Sequence, residues 1–233
     1  MQHEHTSKQF DAELETVRSR VLQMGGLVEE QIINAIEALV NGNLEIADEV
    51  IAKDLQVNAM EVEIDEDCAH IIVRRQPTAG DLRMVMTVIK TITDLERIGD
   101  EAEKIARMSK LIYQADRLSK PRFTEIKMMS AIVLEMLRKS LDAFARLDIG
   151  TAVQVPRQDV QVDDAFSSCM RHLITFMMED PRTISTSLEV LFAAKAVERI
   201  GDHAKNMSEY VVYMVKGKDV RHTSIEEIER EVE

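Results

Sequence analysis

The sequence contains no tryptophan and few residues of the types that shape turns and sheets. Its 233 residues include nine aromatic side chains, four prolines and eight glycines. Sandwiches and barrels need many short strands separated by Gly- and Pro-rich turns, so this composition disfavours them and suits long helices. Hydrophobic residues make up 45% of the chain and charged residues 30%, a balance typical of a folded globular protein rather than a disordered one.

Long apolar runs and an excess of positive charge are also missing. No run approaches the 18 or so apolar residues that a membrane helix needs, and the first ten residues lack the apolar core of a signal peptide. The formal net charge is −13, so we expect no nucleic acid partner and contact with a membrane only through other proteins. These observations predict a cytoplasmic location.

Cysteine is scarce, and its two copies fall one in each half of the chain. Cys68 and Cys169 both lie in helical patterns, which predicts two reduced, buried thiols. The nearby His70 and His172 stand at different spacings from their cysteines, so the two pairs do not share one helical face in the same way. We therefore interpret these histidines as core or surface residues rather than zinc ligands.

One helical phrase occurs twice in the chain. Residues 95–102 read LERIGDEA and residues 197–204 read VERIGDHA, with five identical residues in Glu96–Asp100 and Glu198–Asp202. The offset, 198 − 96 = 102, is close to half the chain. Such a repeat indicates an internal duplication.

Each copy of the phrase places two carboxylates on one helical face. Residues at i and i+4 are neighbours on a helix, so Glu96 stands beside Asp100 and Glu198 beside Asp202. Each pair continues a predicted apolar stripe. The stripe comprises Leu82, Val85, Ile89 and Ile92 in the first copy and Ile184, Ser187, Leu191 and Ala194 in the second. A glycine retained between the carboxylates in both copies indicates close approach of another helix or of a ligand.

The pattern helix–helix–break–helix also occurs twice. The predicted helices span residues 7–40, 44–76, 78–117, 122–148, 150–178 and 183–216, with Thr183 capping the last. We predict an all-α fold of two tandem three-helix bundles related by internal duplication. The predicted units are a first repeat at 1–119, a second at 120–217, with the boundary at Ser119-Lys120-Pro121, and an acidic tail at 218–233.

The duplication extends to the second helix of each half. Asp54-Leu-Gln-Val-Asn58 matches Asp159-Val-Gln-Val-Asp163, and both place polar oxygens at i and i+4. Gln31 interrupts an otherwise apolar seam of the first helix.

Taken together, these motifs resemble the PhoU family of regulators that accompany the bacterial phosphate-specific transporter. The resemblance covers nearly the whole chain. It rests on MEVEIDEDCAHIIVRRQPTAGDLR (60–83), IKTITDLERIGDEAEKI (89–105), LDAFARLDIGTAV (141–153), FMMEDPRTI (176–184), VERIGDHAKN (197–206) and VKGKDVRH (215–222). It implies two tandem three-helix bundles, a homodimer without enzymatic activity, and repression of the phosphate regulon when phosphate is plentiful. The implied partners are a PhoR-type sensor histidine kinase and the PstB-type ATPase subunit of the transporter.

The resemblance also implies a metal site in each repeat, with iron, zinc, magnesium or manganese as the ion. The residues that match its motifs are Asp54, Glu96, Asp100, Asp159, Asp163, Glu198 and Asp202. Oxygen ligands without His or Cys favour magnesium, calcium, manganese or iron over structural zinc. Asn58 stands where the second copy has Asp163, so we expect the second site to bind a divalent ion more tightly. Pro156 departs from the family pattern and, lacking an N–H, should kink or delay its helix.

Ion pairing is the alternative explanation for the acidic phrases. Asp100 can reach Lys104, and Asp202 can reach Lys205 or Asn206, while Arg97 and Arg199 lie nearby.

Three functions follow from these patterns. The first is a signalling adaptor without chemistry of its own, since the sequence offers no nucleophile–base set and no Gly-rich phosphate loop. The second is a metal-binding or metal-sensing bundle. The third, a ferritin-like oxidase, needs Glu-x-x-His on two helices, and the nearest approach is a single Asp67-x-x-His70.

Overall fold

The structure is a computed structural model, and it describes residues 8–114, 123–221, 223–224, 226–227 and 230. These residues contain seven α-helices and one short 3₁₀-helix, and no strand occurs among them. The helices are α1 (Lys8–Asn41), α2 (Leu44–Arg75), α3 (Ala79–Gln114), α4 (Thr124–Arg146), α5 (Ile149–Ala152), α6 (Val155–Glu179) and α7 (Ile184–Lys216), with the 3₁₀ turn at Pro181–Thr183.

The helices form two three-helix bundles, which confirms the predicted fold. In the first repeat α1, α2 and α3 pack against one another, and in the second α4, α6 and α7 do the same. Apolar side chains at helical spacing fill both interiors. The largest of them include Met24, Ile32, Leu39, Ile64, Ile92, Leu95, Ile98, Met129, Met136 and Phe144. The predicted boundary at residues 119–121 lies outside the described residues.

In each repeat, an equivalent helix cap follows the first long helix. The Asn43 side chain accepts hydrogen bonds from the backbone N–H groups that open α2, and the Asp148 side chain does the same for α5. The residues before these caps, Gly42 and Leu147, both have left-handed backbones, with φ of 73° and 58°. This repetition supports the internal duplication. Position 43 in the first repeat corresponds to position 148 in the second, an offset of 105 residues.

Two local predictions at the second repeat were wrong in part. The predicted helix at 150–178 is broken into α5 and α6, because Pro156 can occupy only the first turn of a helix. The delay predicted for Pro156 is thus confirmed. Thr183 does not cap α7: its hydroxyl donates to the Asp180 carbonyl at 2.7 Å, and the Asp180 side chain caps the 3₁₀ turn instead.

The two repeats meet chiefly through α3 and α7, which run antiparallel. At one end the ammonium of Lys90 lies over the rings of Tyr210 and Tyr213, 5.4 and 5.2 Å from their centroids. Further along, Nδ1 of His203 lies 2.6 Å from Oδ1 of the buried Asp94. The seam between the repeats is therefore polar as well as apolar.

A second buried carboxylate crosses the same seam. Glu101 of α3 receives Nη1 of Arg199 at 2.9 Å and Nζ of Lys104 at 2.7 Å. Both cations satisfy a carboxylate that would otherwise be costly to bury. The second arginine of the duplicated phrase thus ties the repeats together, whereas Arg97 pairs within its own helix.

Candidate functional site

The first acidic seam lies between α2 and α3. α3 contributes Glu96 and Asp100, and α2 contributes Asp54 and Asn58. Asp54 is only 6% exposed, and its Oδ2 accepts a hydrogen bond of 3.2 Å from Nδ2 of Asn58. Gly99 makes this approach possible, because a Cβ at that position would lie 3.1 Å from Asp54 Oδ1. The predicted close approach at the glycine is confirmed in this repeat.

Gln31 of α1 completes the first seam, and its role was not predicted. It is 2% exposed, and its Oε1 would lie 3.2 Å from a Cβ on Gly99. The amide lies beside Asp54, and its interaction with that carboxylate acts to lower the pKa of Asp54. The interruption of an apolar seam by Gln31 was the signal in the sequence.

Several oxygens of the first seam are buried. Oδ1 of Asp54 and Oδ1 of Asn58 have no hydrogen-bond partner among the described residues, and Oε2 of Glu96 lies 3.3 Å from Nε of Arg97. Burial raises the pKa of the Asp54 carboxyl, and the nearby Glu103 and Asp100 raise it further. Burial, followed by Asp100, likewise raises the pKa of Glu96. These carboxylates repel one another, so a proton or a cation would stabilise the group.

The second acidic seam lies between α6 and α7. α6 contributes Asp159, which is buried, and Asp163, which is exposed; α7 contributes Glu198 and Asp202. Burial, followed by the charge of a neighbouring carboxylate, raises the pKa of both Asp163 and Asp202. In the sequence these four carboxylates correspond to Asp54, Asn58, Glu96 and Asp100 of the first seam.

Lysines neutralise part of the second seam. Nζ of Lys205 lies 2.8 Å from Oδ2 of Asp159, and Nζ of Lys195 lies 2.5 Å from Oε1 of Glu198. One oxygen of each carboxylate, Oδ1 of Asp159 and Oε2 of Glu198, still has no hydrogen-bond partner in the described ranges. The second seam thus has two cations in contact with its buried carboxylates.

Ion pairing is present at both phrases, and the partners proposed from sequence are confirmed in part. Asp100 pairs with Arg97 at 3.1 Å, as one of the proposed pairs, but not with Lys104. Lys205 binds Asp159 instead of Asp202, and Asn206 donates to Asp94 across the repeats at 3.3 Å. Local spacing did not identify the last two partners, because their acceptors lie on other helices.

The apolar stripes are partly as predicted. Val85, Ile92, Ser187 and Ala194 are buried, and Ile89 and Leu191 are half-buried, but the first member of each stripe is exposed. These first members are Leu82 and Ile184. They lie near the N-terminal ends of α3 and α7.

Cysteine and histidine take no part in either seam. Cys68 and Cys169 are buried free thiols, as predicted, and burial raises their pKa values to about 12 and about 11. His70 is exposed, and His172 contacts Glu125 at 2.8 Å on the surface.

The chemistry of the seam oxygens suits a hard cation, but the structure does not assemble a complete metal site. No three side chains of the His, Cys, Asp and Glu types converge on one point in the ranges that the structure describes. In the first seam Asp54 Oδ1 and Gln31 Oε1 pack against Gly99, and both lie within 3.2 Å of the point that a Cβ there would occupy. Carboxylate and amide oxygens are donors that hard cations prefer.

Fold and seams together define a helical protein of duplicated three-helix bundles with a buried acidic seam in each repeat. The PhoU domain family matches the chain twice, over residues 21–109 and 126–211. The chain belongs to the PhoU family. Within the described residues, no helix combines the length and hydropathy required to cross a membrane.

Relatives and solved structures agree with this assignment. The chain is 46% identical over 230 residues to the phosphate-specific transport system accessory protein PhoU homolog of Pseudomonas aeruginosa, covering 98% of this chain and 94% of that one. It is 46% identical over 228 residues to the PhoU accessory protein of Escherichia coli, with the same coverage. The crystal structure of PhoU from Pseudomonas aeruginosa has a TM-score of 0.86 at 45% identity, covering 90% of this chain and 100% of that one. The phosphate transport system regulatory protein PhoU from Streptococcus pneumoniae has a TM-score of 0.83 at 29% identity, covering 91% and 99%.

Proposed function

We propose that this protein is the accessory protein of a phosphate-specific transport system and a negative regulator of the phosphate regulon. It acts in the cytoplasm, as a homodimer, between a PhoR-type sensor histidine kinase and the PstB-type ATPase subunit. When phosphate is plentiful it holds the kinase in its repressing state and limits phosphate uptake. Family membership and the printed names of the relatives support the link to phosphate transport.

One structural observation carries the adaptor role: exposed apolar side chains recur at equivalent positions of the two repeats. With the offset of 102 for α3 and α7, Leu82 corresponds to Ile184 and Met86 to Leu188, and all four are exposed. With the offset 159 − 54 = 105 for α2 and α6, Val73 corresponds to Met178. Val73 is 76% exposed and Met178 80%.

We call Val73, Leu82 and Met86 the apolar tip of the first repeat, and Met178, Ile184 and Leu188 that of the second. Two similar tips on one chain suit a protein that engages two partners, because exposed apolar groups mark interaction sites. The second tip is larger, since Phe176 and Phe192 are exposed beside it in the sequence. This difference gives the two tips separate specificities.

A pull-down from phosphate-replete cells tests the adaptor role. A tagged copy of the chain is expected to retain both the sensor kinase and the transporter ATPase, and to lose the ATPase in cells without the transporter. Met86→Asp and Leu188→Asp place the same charge at equivalent positions, and each is expected to lose a different partner. Absence of both partners from the parent pull-down, or their full retention by the double variant, would refute the proposal.

We further propose that the acidic seams hold a divalent or trivalent metal ion. The candidate ligands are Asp54, Glu96, Asp100, Asp159, Asp163, Glu198 and Asp202, with Gln31 added from the structure. A bound ion would offset the repulsion between carboxylates of adjacent helices and so set the spacing of α2 against α3. Metal analysis of protein purified without chelator tests this proposal, and metal-free protein that takes up no added ion would contradict it.

A further inference from the structure

The second helix of the first repeat is apolar on two sides. Val57, Ile64 and Ile71 are buried where α2 packs against α1 and α3. Further apolar side chains lie exposed along the other side of the helix, at the spacing of a heptad repeat. They are Ala52, Leu55, Ala59, Val62, Ala69 and Val73, and we call them the outer stripe of α2.

The outer stripe has the pattern that a helix presents to a partner helix. Residues 52–73 contain seven positions of the types lettered a and d in a heptad, and six of them are apolar. The large side chains among them stay in water, since Leu55 is 72% exposed and Val62 57%. Alanines alternate with these larger residues and leave room for the side chains of a second helix. At 1.5 Å per residue the stripe is about 30 Å long.

The second repeat does not reproduce the outer stripe. At the offset of 105, the equivalent positions of α6 are mostly polar. They are Arg157, Val160, Asp164, Ser167, Arg171, Ile174 and Met178. Both repeats form the same three-helix bundle, so a stripe that the bundle itself needed would occur in both. The outer stripe is therefore a separate property of α2.

The charges along the outer stripe are acidic. Glu66 occupies the seventh a or d position, and Glu63 and Asp65 flank the stripe on either side. Glu63 pairs with Arg20 of α1, whereas Asp65 and Glu66 have no ion pair within the described part of the chain. No lysine or arginine occupies an a, d, e or g position between residues 52 and 73. A second copy of α2 would therefore add carboxylates to carboxylates, while a basic helix would neutralise them.

We propose that the outer stripe of α2 binds an amphipathic helix of another protein, with apolar side chains at its own a and d positions and lysine or arginine beside them. A basic side chain of that helix lies opposite Glu66, because a polar residue within an apolar heptad seam fixes the register of the pair. The surface is separate from the acidic seam, since Asp54 lies on the buried side of α2. The proposal requires neither a metal ion nor either of the partners named above.

A synthetic peptide tests this proposal. The probe has three heptads with leucine at a and d and lysine at e and g, so that its own charges keep it from self-association. Fluorescence anisotropy of the labelled peptide, titrated with the full chain, gives Kd. We expect this peptide to bind, and a peptide with glutamate in place of each lysine not to bind.

Equivalent substitutions in the two repeats locate the binding surface. Val62→Ser copies Ser167 of the second repeat and should weaken binding roughly tenfold or more. Val160→Ser makes the same change on the outer side of α6 and should leave Kd unchanged. Glu66→Gln should also weaken binding, whereas Glu37→Gln, at an exposed position of α1, makes the same change in net charge and should have no effect. Circular dichroism confirms that each variant is folded.

Three results would overturn the proposal. The first is equal binding of the lysine and glutamate peptides, or binding of neither. The second is an affinity that falls equally in the two serine variants or equally in the two glutamine variants. The third is a dimer in sedimentation velocity that Val62→Ser converts to a monomer, because the stripe would then join two copies of this chain. Met86→Asp, which tests the apolar tip, should leave the peptide affinity unchanged, so the two surfaces are tested independently.

Discussion

Glu209 gives a pH dependence whose size follows from the structure. It lies on α7 one turn after Lys205 and is 9% exposed. Burial raises the pKa of this carboxyl from 4.5 to about 7, although Lys205 acts to lower it. At about 1.36 kcal/mol per pKa unit, this difference corresponds to about 3 kcal/mol.

The sign follows from proton linkage. Between the two pKa values the folded protein holds a proton that the unfolded chain has released, so the folded state loses stability as pH rises. The stabilising contribution of protonated Glu209 is fully present below the pKa of the unfolded state and is lost as pH rises through the pKa of the folded state. Glu209→Gln imitates the protonated form at every pH. We expect the variant to be more stable than the parent by about 3 kcal/mol at pH 8 and by about 1 kcal/mol at pH 5.

Urea unfolding followed by circular dichroism measures this difference across the pH range. The exposed Glu37 offers a matched control, because Glu37→Gln makes the same change on α1 and should leave the pH dependence as in the parent. A Glu209→Gln variant whose advantage does not grow between pH 5 and pH 8 would refute the reasoning. A variant less stable than the parent at pH 8 would refute it as well.

The duplication supplies internal controls for two further predictions. In urea unfolding, the Gly201→Ala variant should be more stable than the Gly99→Ala variant by about 1 kcal/mol. Both variants gain the same helix propensity, but only a Cβ at Gly99 would meet two buried oxygens within 3.2 Å. Equal stabilities of the two variants would contradict this prediction. Arg199→Met should cost about 1–3 kcal/mol, because it removes one partner of the buried Glu101. Arg97 is exposed and pairs within one helix with the half-buried Glu96 and Asp100, so Arg97→Met should cost less, under about 1 kcal/mol. A larger loss for the Arg97 variant would show that the contact between repeats is unimportant.

Features that depend on neighbouring residues could be predicted from the sequence. Hydrophobic periodicity and local caps predicted six helical spans. Where their ends fall within the described residues they agree closely with the structure, except at the start of α6, and the Asn43 cap is one example of agreement. The repeated phrase predicted the internal duplication and the position of each carboxylate pair along its helix. Pro156 was recognised as a helix disturbance, but the separate helix α5 that results was not predicted.

Features that depend on packing between helices could not be predicted. Lys205 has Asp202 nearby in the sequence and yet binds Asp159, 46 residues away. His203 contacts Asp94 across the repeats, 109 residues away. A helical wheel shows which face a side chain is on, and the identity of its partner depends on the neighbouring helix. The assignment of seven metal ligands stays a prediction.

A reporter of the phosphate regulon tests the central claim, that this protein is a regulator whose acidic seams belong to its signalling. The double variants Glu96→Ala with Asp100→Ala and Glu198→Ala with Asp202→Ala each remove one pair of carboxylates, and replacement of the exposed Glu37 by alanine is the control. With folding and abundance normal, we expect either double variant to turn the reporter on in phosphate-rich medium while the control leaves it silent. A reporter that stays silent in both double variants would contradict the account.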